Sequence, residues 1–353
     1  MKITIPRASL QRAMTAVSRA IEARNTMPIL SAVKLVSGDD TLGIHGTDLD
    51  IEVVSVAECL AAAPGQCCVD AKLLSGIAAK AGGEDITLEL ADAVLTIKSG
   101  RSRFKLATLP ADDFPAFGSS EYAAEFDFDI AAAFAPVKFA MSNEETRYYL
   151  NGVYFIAKAG KFAAVATDGH RLAENTGAVE AEFDGVIVPR KLCEMLPAGL
   201  CRVSISANKI RLATDTVVIT SKLIDGTFPD YLRVIPVGND KIVTVDKVAM
   251  TAAADRVVTI ATDKGSAVKL SVAPGQIALS KRTEGNTADD EIAAEYTGEP
   301  VEIGFNSKYL HEMFAVLPAG PVDVAIKGGD APALVTSAAL EGWRGVLMPV
   351  RAV

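Results

Sequence analysis

AVKLVSGDDTLGIHGTDLDIEVVSV, residues 32–56, decides the fold, because the chain writes it more than once. Apolar and polar residues alternate through it, the period of a strand half-buried on a sheet. Gly38-Asp39-Asp40 interrupts the alternation with turn residues, so two antiparallel runs are expected. Residues 150–176, LNGVYFIAKAGKFAAVATDGHRLAENT, repeat the device with a turn at Ala159-Gly160. Residues 267–285, AVKLSVAPGQIALSKRTEG, repeat it with a turn at Pro274-Gly275. Thr47-Asp48 in the first copy and Thr167-Asp168 in the second stand at the same place.

Working outward, each copy sits in a larger unit of about 118 residues, a third of the chain. A short alternating strand and a helix-period stretch come first. Leu10, Ala13, Met14, Val17 and Ile21 fall on one helix face; so do Ile130, Phe134, Val137 and Met141, and again Val248, Ala252, Ala253 and Val257. A second helix follows each strand pair, in DAKLLSGIAAKAGG, PRKLCEMLPAG and NSKYLHEMFAVLPAG. Asp70 and Asn306 are expected N-caps, and Pro189 suits a helix start. A further strand set closes each unit, with Asp113-Phe114-Pro115 and Thr227-Phe228-Pro229 after the first two. Three α+β units are expected, over residues 1–120, 121–240 and 241–353, each with two helices on antiparallel sheet.

The six helices are expected over 7–21, 70–81, 129–141, 189–197, 246–258 and 306–317. They hold eleven Lys or Arg against six Asp or Glu, on a chain of net charge −9. The rest of the chain is therefore strongly acidic. A split of this kind suits one basic surface for phosphate and an acidic exterior. Pro136 should kink the third helix or end it early.

Other features exclude function classes. The N-terminus MKITIPRASL lacks the pattern of a signal peptide, and no run approaches the roughly 20 apolar residues of a membrane span. A cytoplasmic protein with no membrane partner is expected. The five cysteines, Cys59, Cys67, Cys68, Cys193 and Cys201, form no CxxC and read as reduced apolar side chains. The three histidines, His45, His170 and His311, fall in no metal-binding spacing, and no phosphate loop, GxSxG elbow or dinucleotide fingerprint occurs. Asp168 with His170 could make a general base pair. The repeat of Thr-Asp without a following His in the first unit favours a turn instead. No catalytic residue, cofactor or metal is expected.

RYYLNGVYF (147–155) and ATDGHRLA (166–173) closely resemble the middle domain of the bacterial beta clamp family. SGRSRFKLATLPADDFP (99–115), SKLIDGTFPDY (221–231), EIGFNSKYL (302–310), MPVR (348–351), TMPIL (26–30) and GTDL (46–49) are similar to the family as well, in order along the whole chain. The resemblance implies a non-enzymatic sliding clamp, a head-to-tail homodimer of six similar domains closing a ring around double-stranded DNA without reading its sequence. Twelve helices would line the hole. It implies short-motif clients: the replicative polymerase catalytic subunit, the clamp loader, repair polymerases and mismatch-repair proteins. Their pocket would use Leu150, Thr167, Gly169, His170, Arg171, Leu172, Pro229, Arg233, Val234, Asn306, Tyr309, Met348, Pro349, Val350 and Arg351. The family position of Arg24 touches DNA; Lys72, Lys80, Arg190 and Lys191 follow from the helix pattern. Phe104 and Leu106 on an edge strand, and Ile260 at a helix end, would form the subunit contact. The acidic loop Ser142-Asn143-Glu144-Glu145 and the extended tail Arg351-Ala352-Val353 depart from the family. They motivate the alternative of a specialised clamp paralogue with altered client or inhibitor preference.

Overall fold

A computed structural model describes residues 1–22, 25–118, 120–261 and 267–351. The described elements are helices and antiparallel strands, the α+β class expected. The chain forms two compact units. The first comprises Met1–Phe128 with Met195–Leu223, the second Asp129–Glu194 with Ile224–Val353. Compactness thus cuts through the middle of the chain. We propose residues 1–120, 121–240 and 241–353 as the repeat units that the two bodies share out.

The first unit holds two sheets. Five strands run in the order Leu60–Ala63, Lys2–Pro6, Asp85–Ala91, Val94–Ser99, Ser102–Ala107. Eight run Ala124–Phe128, Cys201–Ile205, Lys209–Ala213, Val217–Lys222, Ile51–Glu58, Thr41–Thr47, Ala32–Gly38, Gly65–Asp70. Helices α1 (Arg7–Ser18) and α2 (Ala71–Lys80) pack on each other. α1 buries Leu10, Ala13, Met14 and Val17 and lies on Ile51–Glu58. Spacings of three and four put those four residues on one face, as expected.

The second unit is built on one twelve-stranded sheet. Its order is Phe183–Pro189, Gly152–Lys158, Lys161–Thr167, Arg171–Ala178, Trp343–Leu347, Ala333–Thr336, Pro321–Ile326, Lys241–Asp246, Asn286–Glu295, Gln276–Thr283, Ala267–Ala273, Val301–Asn306. Its helices are α3 (Ile130–Phe134), α4 (Arg190–Cys193), α5 (Lys247–Val257) and α6 (Ser307–Ala315).

The expected turns are present, with different chemistry. Asp39 and Asp40 both have positive φ, 50° and 55°, as do Ala159 and Gly160, 52° and 76°. This is the type I′ geometry that matches strand twist. At Pro274-Gly275 only the glycine is positive, at 83°, so proline's fixed φ selects a type II form. Asp70, Asp129, Asp246 and Asn306 each accept a backbone N–H from the first turn of their helix.

Three helices end three or more residues earlier than expected. The stretch 129–141 is helical only to Phe134, because Pro136 has no N–H to give; a 3-10 turn resumes at Lys138–Ala140. Its free carbonyl accepts from Trp343 Nε1 at 2.9 Å. The stretch 189–197 is helical only to Cys193, since Pro197 disfavours helix at the residue before it. α1 stops at Ser18, where Ala20 and Ile21 bond three residues back instead of four. All five cysteines are buried free thiols, and burial pushes Cys193 up to about 12. No helix among the described residues is long and apolar enough to cross a membrane.

Candidate functional site

Residues Asp168-Gly169-His170 join Lys161–Thr167 to Arg171–Ala178. Thr167 Oγ1 donates to Arg171 O (2.7 Å) and accepts from Gly169 N (3.1 Å). Asp168 Oδ1 accepts the backbone N–H of His170 (2.9 Å) and of Arg171 (3.0 Å). Its Oδ2 takes Arg171 Nε at 3.1 Å. Asp168 is therefore engaged by backbone and guanidinium, and the turn reading holds. Gly169 has φ +88°, and a Cβ there would lie 2.5 Å from Arg147 Nη1. Only glycine allows both the left-handed backbone and the close guanidinium. Arg147 is held by Glu144 through two bonds, Nε at 2.9 Å and Nη2 at 2.7 Å, which keep that carboxyl below its usual range.

Arg171 is 6 % exposed and all three of its nitrogens are used. Besides Asp168, Nη1 donates to Glu312 on α6 and Nη2 to Phe139 O at 2.6 Å. Its guanidinium carbon lies 4.4 Å from the Tyr309 ring centroid and 5.1 Å from that of Phe139. A desolvated guanidinium gains about 2 kcal/mol from such a ring. His170 stacks near-parallel with Tyr309, centroids 6.1 Å apart. Burial pushes the Tyr309 phenol up. These side chains line a cavity of about 520 Å³ with Lys138, Glu144 and Arg190.

One residue further on, the packing turns apolar. Leu172 packs with Val165, Ile235 and Val346, and against Phe228 and Tyr231. Phe228 stacks on Tyr154 with centroids 4.8 Å apart. Tyr231 OH donates to Glu174 Oε1 at 3.0 Å, and Arg344 Nε donates to Glu174 Oε2. Glu174 is 3 % exposed, so it needs both partners. Burial, then the Glu174 charge, push the Tyr231 phenol up. This pins the segment after Phe228 to the sheet. Pro229, Arg233 and Val234 are exposed on it, with Arg233 paired to Asp230 at 2.7 Å. Leu232 and Val237, at 59 % and 87 %, are exposed beside them.

The tail is tied down by backbone. Met348 N donates to His170 O (2.9 Å) and Val350 N to Gly304 O (2.8 Å). Met348, Val350 and Arg351 are exposed and Pro349 half-buried. Asn306 caps α6, so it sets Tyr309 on its helix. Leu150 is buried, and its carbonyl accepts from Ser142 N.

The other expected residues lie elsewhere. Lys72 and Lys80 are exposed on α2 of the first unit. Arg190 and Lys191, on α4 of the second, are half-buried. Arg190 Nη2 donates to Met141 O and Ser142 O, both 2.7 Å, which ties it to the rim of the cavity. Phe104 and Leu106 lie on Ser102–Ala107, an edge strand, and Ile260 on the 3-10 turn Val258–Ile260. Arg24 lies outside the described residues, as do Ala352 and Val353. Among the described residues no three His, Cys, Asp or Glu are grouped to hold a metal.

Reading the sequence missed Phe139, Glu312, Glu174, Arg344 and Tyr231 as site residues. Glu174 carried a signal: a carboxylate inside the strand RLAENTGA needs a partner if buried. Glu312 is three residues after Tyr309 and so shares its helix face.

Comparison with known proteins places this geometry. Residues 1–118 match the N-terminal domain of the DNA polymerase III beta subunit, 129–230 its central domain and 232–351 its C-terminal domain. The chain is 40 % identical to the beta sliding clamp of Caulobacter vibrioides, covering 99 % of this chain and all of the relative. The solved Caulobacter crescentus polymerase III beta matches at TM-score 0.94 and 40 % identity, over the full length of both. A sliding clamp from Bartonella birtlesii, solved bound to griselimycin, matches at TM-score 0.94 and 38 % identity, again over both full lengths.

Proposed function

We propose, from the premise that the chain belongs to the DNA polymerase III beta subunit family, an assignment of its surfaces to DNA, clients and a second copy. The chain is a DNA sliding clamp, a processivity factor and not an enzyme. It encircles duplex DNA as a ring-shaped homodimer and tethers the replicative polymerase. Because the ring is closed, contacts to phosphate need only be weak, and it slides.

The observation that carries the subunit assignment is a rule of strand exchange. In the first unit the strand Ile51–Glu58 pairs with Val217–Lys222, the last strand of the second repeat. In the second unit Arg171–Ala178 pairs with Trp343–Leu347, the last strand of the third. The equivalent strand of the third repeat is Asn286–Glu295. Only its final Ala294 and Glu295 pair on the side away from Gln276–Thr283. The last strand of the first repeat, Ser102–Ala107, is an open edge. Joining these two edges between copies satisfies the rule head to tail and closes a ring. Their charges are complementary: Arg103 and Lys105 on one, Asp289, Asp290 and Glu291 on the other. Phe104 and Leu106 are the apolar side chains of that edge. Ile260 belongs to the turn that packs on Asn286–Glu295.

The client groove has Leu172 as floor, and the buried Leu150 is assigned to it as well. Pro229, Val234, Met348, Pro349 and Val350 are its apolar walls, and Arg233, Arg351, His170 and Tyr309 its rim. Thr167, Gly169, Arg171 and Asn306 hold the rim in shape. An apolar trough with a few fixed polar groups suits a short linear peptide. We assign it the peptide-like ligand griselimycin, the clamp loader, repair polymerases and mismatch-repair proteins. Lys72, Lys80, Arg190, Lys191 and Arg24 are assigned to DNA phosphate, and the cytoplasm as the compartment.

The test is topological. Labelled protein is loaded by a clamp loader onto nicked circular DNA, isolated by gel filtration, and the DNA is cut once. The clamp stays on the circle and leaves after the cut. Equal retention on linear DNA would mean binding by contact and would end the ring assignment.

A further inference from the structure

We infer that Glu312 is a positioning residue for the client groove, acting through Arg171 on the Tyr309 and His170 rings. The inference rests on the groove assignment above. Tyr309 has Arg171 over its ring, with the guanidinium carbon 4.4 Å from the centroid, and His170 stacked near-parallel at 6.1 Å. A guanidinium can hold a ring in one orientation only if it is itself fixed. Arg171 is fixed at three points: Asp168 on its own turn, Phe139 O on the 3-10 turn, and Glu312 on α6. Of these only Glu312 stands on the helix that carries Tyr309, three residues along and on the same face. It therefore ties the guanidinium to the ring's own helix. The other two tie it to the β-turn and to the segment after α3. Glu312 reaches the Tyr309 ring through the Arg171 guanidinium. Its effect on a ligand is indirect, through the planarity of the arginine, which lysine could not replace.

Loss of Glu312 leaves Arg171 two anchors, so the fold holds while the guanidinium gains a degree of freedom. The measurement is calorimetric titration of griselimycin into the full-length protein in a double-variant cycle. Glu312→Ala weakens binding about tenfold, in line with a charge-assisted hydrogen bond. Glu312→Gln, which keeps an oxygen acceptor, recovers part of that loss. In a Tyr309→Ala background Glu312→Ala has no further effect, because the ring it positions is gone. An unchanged affinity for Glu312→Ala overturns the inference. So does the same loss with and without Tyr309, which would mark a general structural role. If Tyr309→Ala alone leaves griselimycin binding intact, the groove assignment itself fails. Should Glu312→Ala not fold, the Gln variant is read in the same cycle with the same criteria.

Discussion

The turns at Thr47–Ile51 and Thr167–Arg171 are one hydrogen-bonded object built twice. Thr47 Oγ1 donates to Ile51 O (2.8 Å) as Thr167 does to Arg171 O. Asp48 Oδ1 accepts from Asp50 N and Ile51 N as Asp168 does from His170 N and Arg171 N. Even the outgoing bond matches: Lys222 N reaches Asp50 O, and Met348 N reaches His170 O, both at 2.9 Å. Four side chains differ. Leu49, Asp50, Ile51 and Glu52 stand where the second turn has Gly169, His170, Arg171 and Leu172. In the first turn Glu52 lies 3.8 Å from His45, and Asp50 pairs with Lys222 at 3.0 Å. Charge closes that junction to an apolar ligand. In the second, an aromatic ring, an imidazole and a leucine floor leave it open. The backbone device sets the junction, and four substitutions set its chemistry; on the assignment proposed above, they make the second one the client groove.

The sharpest way to break the comparison is Arg171→Ile, which copies Ile51 into the second turn. It strands Asp168, Glu312 and the Phe139 carbonyl. We expect a loss of about 3–5 kcal/mol, the cost of removing one partner of a buried ion pair. Urea unfolding measures it. A loss under 1 kcal/mol would mean that the cluster is solvated in solution.

Next comes Leu172→Glu, copying Glu52. A carboxylate among Val165, Ile235 and Val346 has no partner and must stay protonated or pull in water. Griselimycin binding should fall by at least a hundredfold, about 3 kcal/mol. Titration calorimetry reads it. Binding within tenfold of the parent would show that the ligand does not use this floor.

Much of this was legible in the sequence because it is periodic. The strand pairs, the caps Asp70 and Asn306 and the repeat order follow from alternation and local chemistry. The break at Pro136 was legible for the same reason, since a missing N–H acts on its own helix. What escaped depends on distant partners. Glu312 and Phe139 are far from Arg171 in the chain, and nothing local marks them as its ligands. The short α4 escaped because its apolar spacing runs on into Pro197, and a proline disfavours helix ahead of itself. Phe228 and Tyr231 follow the last strand of the second repeat with no periodicity to place them. Only the fold brings them against Tyr154 and Glu174. The family resemblance supplied the residues proposed for the groove in one step, but not the geometry that fixes them.

A third test asks whether the shared device is structural in both copies. Thr47→Val and Thr167→Val remove the same two hydrogen bonds from the same kind of buried site. Each should cost about 1–3 kcal/mol. Thermal unfolding of the two variants should agree closely if the turns are equivalent. A loss confined to Thr167 would mean that the second turn alone is under load.

The smallest effect lies at Leu49, where the comparison is least balanced. Leu49 has φ +81°, close to the +88° of Gly169, without glycine's freedom. A left-handed backbone with a Cβ costs roughly 1–2 kcal/mol. Leu49→Gly removes that strain but returns about 0.5–1 kcal/mol as entropy of the unfolded chain. The leucine is also 41 % exposed, so little burial is lost with it. We expect a gain of about 0.5 kcal/mol, read as a small rise in Tm. A clear loss would mean that the Leu49 side chain is held by contacts worth more than its backbone strain. The first junction would then be a packed site with its own occupant, where the comparison has it closed by charge.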